Sequence, residues 1–172
     1  MFDVLSRMVR TGILTEPLPD SGEAYPAIEI LQRSLRGLLG RALSIRHVDA
    51  GSCNGCELEI QALHNPYYNL EGQGIQFVAS PRHADLLLVT GPVSVNMEEA
   101  LKRTYDAVPD PKLVIAVGDC GACGGVFSQS YASQGSIANV IPVHRTIPGC
   151  PPDPTAILLG ILEAVRAVRI ES

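Results

Sequence analysis

Five cysteines in 172 residues carry most of the chemistry this chain can offer, and their spacing sorts them. Cys53 and Cys56 stand in Asp49-Ala50-Gly51-Ser52-Cys53-Asn54-Gly55-Cys56, and Cys120 stands in Val117-Gly118-Asp119-Cys120. Cys150 lies in Ile147-Pro148-Gly149-Cys150-Pro151-Pro152. Four thiolates drawn from three separated loops suit a four-iron four-sulfur cluster seated in a preformed cleft, because thiolate is the soft ligand such clusters take. Glycine beside these sites lets the backbone pass close to a bulky inorganic core and leaves amide N–H groups free to bond sulfur. A zinc ribbon is the competing reading, since Cys120-Gly121-Ala122-Cys123 supplies a second Cys-x-x-Cys pair. Ribbon pairs usually sit about 15 to 20 residues apart, whereas 63 residues lie between Cys56 and Cys120. A thioredoxin-like redox pair would leave Cys150 without a role.

These loops need a scaffold, and the hydrophobic pattern supplies one. Ser44 to Val48, Ile75 to Val78, Leu86 to Thr90 and Leu113 to Val117 read as buried strands alternating with helical stretches. That alternation predicts a three-layer α/β fold of flavodoxin-like type, a parallel sheet flanked by helices. Asn96 and Glu99 form a capping-box-like start for a helix running to about Ala107. Asp153 as N-cap and Pro154 at the first helical position open a final helix that turns Ile157, Leu158, Ile161, Leu162 and Val165 inward. In such a sheet, ligands bind at the carboxyl ends of the strands, where all four selected cysteines fall. Ahead of this domain (44–172), residues 1–43 form an N-terminal extension with an amphipathic helix over Ala27 to Leu39 for partner contact.

Composition narrows the function classes. Hydrophobic residues make up 46% and charged residues 18%, an apolar-rich balance that points to buried subunit contacts. A formal charge of -5 without a basic stripe argues against nucleic acid as a partner. No apolar run approaches the roughly 20 residues that span a bilayer, and the N-terminus lacks the pattern of a signal peptide. The expected location is the cytoplasm, where an odd number of cysteines favours metal or redox chemistry over a disulfide framework.

With those residues in view, the chain resembles the family that joins the 20 kDa cluster subunit of complex I (NADH:quinone oxidoreductase) to the small subunits of nickel-iron hydrogenases. The similarity covers about Ser44 to Leu162. It includes Ser80-Pro81-Arg82-His83-Ala84-Asp85, Gly118-Asp119-Cys120, Gly124-Gly125, Ile141-Pro142-Val143 and Pro148-Gly149-Cys150-Pro151-Pro152. The string Cys53-Asn54-Gly55-Cys56-Glu57 looks most like the small subunit of formate hydrogenlyase and related membrane-bound, energy-converting hydrogenases. In the complex I branch the first two ligands are adjacent cysteines instead. The resemblance implies one cluster on Cys53, Cys56, Cys120 and Cys150, close to a nickel-iron site in a partner large subunit. It also implies ferredoxin-like and integral membrane subunits as further partners, and a position on the cytoplasmic face of the membrane. The runner-up is the cluster subunit of a complex I relative that delivers electrons to quinone.

Three further expectations follow from the resemblance. Glu57 and Glu59 stand where these proteins place a carboxylate near the cluster and the subunit interface, which implies proton transfer, with helix-start stabilisation as the plain alternative. Arg82 is implied to tune the cluster electrostatically. Cys123 departs from the family pattern and reads as a small buried thiol.

Overall fold

A computed structural model describes residues 42–171. The expected N-terminal extension and its helix lie outside the described residues. Five strands form one parallel sheet: β1 (Leu43–Asp49), β2 (Ile75–Phe77), β3 (Leu86–Thr90), β4 (Leu113–Val117) and β5 (Arg145–Ile147). Their order across the sheet is β2-β1-β3-β4-β5. This is the flavodoxin-like order, in which the chain leaves β1 toward one edge and returns at β3 toward the other. Among the described residues four α-helices accompany the sheet: α1 (Gly55–Ala62), α2 (Val95–Ala107), α3 (Gly118–Cys123) and α4 (Pro154–Glu171).

Apart from Thr90 at its end, β3 is apolar, and so is β4, because both faces are covered. Every residue of β3 and of β4 is buried, as expected for parallel strands between two helical layers. The two-residue period of a strand then divides the core. Ile45, Leu86, Leu88, Leu113, Ile115 and Val117 face one way, onto Ile60 and Leu63 at the end of α1 and Ile157 and Ile161 of α4. Val48, Leu87, Val89, Val114 and Ala116 face the other way, onto Leu101 of α2 and the segment holding Ile137 and Ile141.

The helix ends differ from expectation in one place. Asp153 caps α4 as read from sequence, its Oδ1 accepting the Ala156 N–H at 2.6 Å. In α2, Asn96 and Glu99 lie inside the helix and Ser94 is the N-cap. The Ser94 N–H donates to the Ala50 carbonyl at 2.8 Å, so docking onto the end of β1 sets where this helix begins. Glu99 pairs with Arg103 instead. No helix among the described residues is long and apolar enough to cross a membrane.

Candidate metal centre

At the carboxyl end of β1 the turn is organised by its own polar groups. Asp49 Oδ1 accepts the N–H groups of Gly51 at 2.8 Å and Ser52 at 2.7 Å. Burial alone would raise the Asp49 pKa, but these amide bonds outweigh it and hold the carboxyl below its ordinary value. Ser52 Oγ accepts the Asn54 N–H at 3.1 Å, and Asn54, a residue that tolerates left-handed backbone, sits at φ 72° before α1. Cys53 thus precedes the helix and Cys56 falls in its first turn.

The second turn is tighter, because β4 passes directly into α3. Gly118 has φ +81°, and a Cβ built on it would lie 2.7 Å from Cys56 Sγ. A Cβ on Gly125 would lie 2.9 Å from Cys120 Sγ. Backbone therefore passes within contact distance of two of the thiols, which only glycine allows. Cys150 follows β5.

Cys53, Cys56, Cys120 and Cys150 line one pocket, with Gly55 and Gly91 between them. Burial, then the neighbouring Glu57 and the other three cysteines, push the Cys56 thiol up to about 12. Burial, followed by Cys150 and Cys53, likewise raises Cys120. Thiols that repel one another's ionisation in this way release their protons when a cation joins them, the ordinary coupling of thiolate ligation to metal binding. Among the described residues no three His, Cys, Asp or Glu side chains are grouped to hold a single metal ion. The donor set is soft, fourfold and too spread for one ion, which fits a cluster in which each thiolate takes its own iron.

The remaining singled-out residues fall into different surroundings. Glu57 is buried in the first turn of α1, and neither carboxylate oxygen has a hydrogen-bond partner. His47 Nε2 lies 3.9 Å from one of its carboxylate oxygens. The Thr90 hydroxyl donates to the Val48 carbonyl at 3.4 Å, which leaves its oxygen to accept from His47 Nε2 at 3.0 Å. Burial holds the His47 imidazole below its ordinary pKa, against the opposing pull of Glu57 and Asp49. Glu59 is only half-buried, because two positions along a helix are about 200° apart around its axis.

Arg82 is exposed on the Pro81–His83 turn and does not line the pocket. It precedes β3, whose length of roughly 15 Å at the usual strand rise separates it from the pocket end of the sheet. Cys123 corrects the expectation of a buried thiol. It is exposed at the end of α3, outside the pocket lining, and its Sγ donates to the Asp119 carbonyl at 3.2 Å. The contributions of Asp49, His47 and Thr90 escaped sequence reading. An aspartate two residues before a glycine is the only local signal for the first.

The family model described as NADH ubiquinone oxidoreductase, 20 Kd subunit, matches residues 53–164. A probable membrane-bound hydrogenase subunit of Pyrococcus furiosus is 48% identical over 128 residues, covering 74% of this chain and 77% of that protein. Formate hydrogenlyase subunit 7 of Escherichia coli is 42% identical, covering 81% of this chain and 54% of that protein. A solved structure of the membrane-bound sulfane sulfur reductase, an archaeal respiratory membrane complex, contains a chain similar at TM-score 0.67 and 32% identity. The match covers 81% of this chain and 76% of that one.

Proposed function

This chain belongs to the family of the NADH ubiquinone oxidoreductase 20 kDa subunit, and we propose that it is the electron-transfer subunit of a membrane-associated nickel-iron hydrogenase. The observation that carries this reading is the convergence of Cys53, Cys56, Cys120 and Cys150 on one pocket at the carboxyl end of the sheet. These four thiolates would hold one four-iron four-sulfur cluster, which when bound takes up and gives out single electrons. The two-residue spacing between Cys53 and Cys56 favours the hydrogenase branch over the quinone-reducing one. The similarity to the Pyrococcus hydrogenase subunit and to formate hydrogenlyase subunit 7 points the same way.

The residues divide the work by position. Gly118 and Gly125 leave the backbone close to the Cys56 and Cys120 sulfurs. The Asp49 carboxylate fixes the turn that carries Cys53. Glu57, buried beside Cys56 and facing His47, holds or passes a proton on the inner side of the site. Glu59, half-buried on another face of α1, serves the same path only at its outer end. Arg82, on its exposed turn, tunes the site weakly, since solvent and salt screen a charge more than about 10 Å away.

Cys53 and Cys150 are exposed, so the pocket opens on the molecular surface. Val126 and Tyr131, at 86% and 100% exposure, project from the loop that follows Cys120. A nickel-iron large subunit would cover this side. Ferredoxin-like and integral membrane subunits would complete the assembly on the cytoplasmic face of the membrane.

The test is electron paramagnetic resonance of the reduced complex, with iron, acid-labile sulfide, nickel and zinc counted in the same sample. A cluster signal with about four irons and four sulfides per copy of this chain, over those of other subunits, and nickel in the assembly is expected. Zinc in place of iron and sulfide would overturn the reading. Cluster iron without nickel, together with quinone reduction, would move the chain to the quinone-reducing branch.

A further inference from the structure

One carboxylate ties two of the three ligand turns together. Asp119 Oδ1 accepts the Gly149 N–H at 2.8 Å, and the Asp119 N–H donates to the Gly149 carbonyl at 2.9 Å. Gly149 is thus held at both its amide and its carbonyl by a single residue. Asp119 directly precedes Cys120 and Gly149 directly precedes Cys150, so these two cysteines hang from opposite sides of one hydrogen-bonded ring. The adjoining Gly118 brings in the third turn: a Cβ there would meet Cys56 Sγ at 2.7 Å and the Gly149 carbonyl at 3.3 Å.

The exchange depends on backbone that other residues rarely adopt. Gly149 has φ +136°, and a Cβ on it would lie 2.6 Å from Pro152 Cα. Its amide is aimed at Asp119 in a positive-φ conformation packed closely against Pro152. Asp119 itself lines the pocket, and among the described residues no lysine or arginine does. Its carboxyl group therefore shares the pocket with the four thiols.

We propose that Asp119 is a positioning residue for the cluster site, with a mechanical and an electrostatic effect. Mechanically, it sets the separation of the Cys120 and Cys150 turns. Electrostatically, a negative charge beside the site opposes the arrival of an electron and lowers the reduction potential. This inference rests on the proposed cluster and adds to it a residue that is not a ligand.

Two substitutions separate the effects. Asp119→Asn keeps an oxygen to accept the Gly149 N–H and removes the charge, whereas Asp119→Ala removes both. Each is placed in the full complex, and four quantities are read: iron and sulfide content, the rate of iron loss to bathophenanthroline, thermal unfolding, and the midpoint potential from a redox titration followed by electron paramagnetic resonance. Asp119→Asn is expected to retain iron at about the parent rate and to shift the midpoint upward. Asp119→Ala is expected to lose iron about tenfold faster, the scale of one charge-assisted hydrogen bond.

An unchanged midpoint in Asp119→Asn overturns the electrostatic half, and parent-like iron retention in Asp119→Ala overturns the clamp. Failure of both variants to assemble, with the parent loaded, overturns the proposal by assigning Asp119 to folding alone. A parent complex in which this chain holds no iron and sulfide overturns the cluster reading itself, a result that neither variant can mimic.

Discussion

Glu57 combines 7% exposure with two carboxylate oxygens that find no hydrogen-bond partner. Burying such a group is costly, and one that sits beside the proposed cluster site calls for a chemical reason. Glu57→Gln keeps its size and removes its exchangeable acid proton. We expect proton-coupled turnover of the complex to fall about 100-fold, the lower end of what a positioned acid or base contributes, with the cluster signal retained. Glu59→Gln should stay within about twofold; equal effects of the two would detach the role from burial. His47 gives a second residue-level test through stability. Its folded pKa lies below 6.5, so the neutral form is favoured by folding and the contribution is complete above 6.5. It is lost as pH falls through 6.5 toward the folded value. Denaturant midpoints measured between pH 8 and pH 5 should fall less steeply for His47→Gln than for the parent. The cysteines were legible because thiolate chemistry resides in residue type and spacing. The bonds made by Asp49, Asp119 and His47 were not, because their partners come from backbone conformation or from a neighbouring strand.

At the scale of elements, legibility followed burial. The strands Leu86–Thr90 and Leu113–Val117 were read to the residue, because both faces are covered and every side chain but that of Thr90 is apolar. β1 and β2 were displaced only at their ends. β5 was missed: Arg145-Thr146-Ile147 is three residues long at the sheet edge, with two of them exposed, and no periodicity shows over that span. Yet β5 aims the Cys150 turn, and it is seated by α4. A Cβ on Gly160 would lie 2.5 Å from Ile147 Cγ1, so the helix packs on the strand with no room for a methyl group. Gly160→Ala gains about 1 kcal/mol in helix propensity, but it forces Ile147 to move, and overpacking of this kind costs about 1–3 kcal/mol. We expect a net loss of stability of up to about 2 kcal/mol and weaker iron retention. A variant more stable than the parent, with parent-like iron content, would show that α4 slides freely over β5.

Across the whole molecule, the sheet places its chemistry and its exposed apolar surface at the same end. The loop leaving the Cys120 turn returns to the start of α2, where the Val95 N–H donates to the Ala132 carbonyl at 2.9 Å and the Gln134 N–H to the Val93 carbonyl at 2.7 Å. Val126 and Tyr131 project from that loop, and Val95 beside it is half exposed. Large apolar side chains fully in water are uncommon when they cluster, and they mark contact surfaces. Electron transfer demands the same arrangement, since the donor must sit where the partner approaches. If this loop meets the large subunit, Val126→Ser with Tyr131→Ser removes two anchors without touching a cysteine or the sheet. Interface anchors cost about 1–2 kcal/mol or more each when truncated, so the pair should weaken assembly roughly 30-fold to 1,000-fold. Pull-down of the large subunit at graded concentrations measures this, and iron content should be unchanged in the chain that remains assembled. Undiminished assembly would place the docking contact elsewhere on the surface, with the exposed Leu58 of α1 as the next residue to replace.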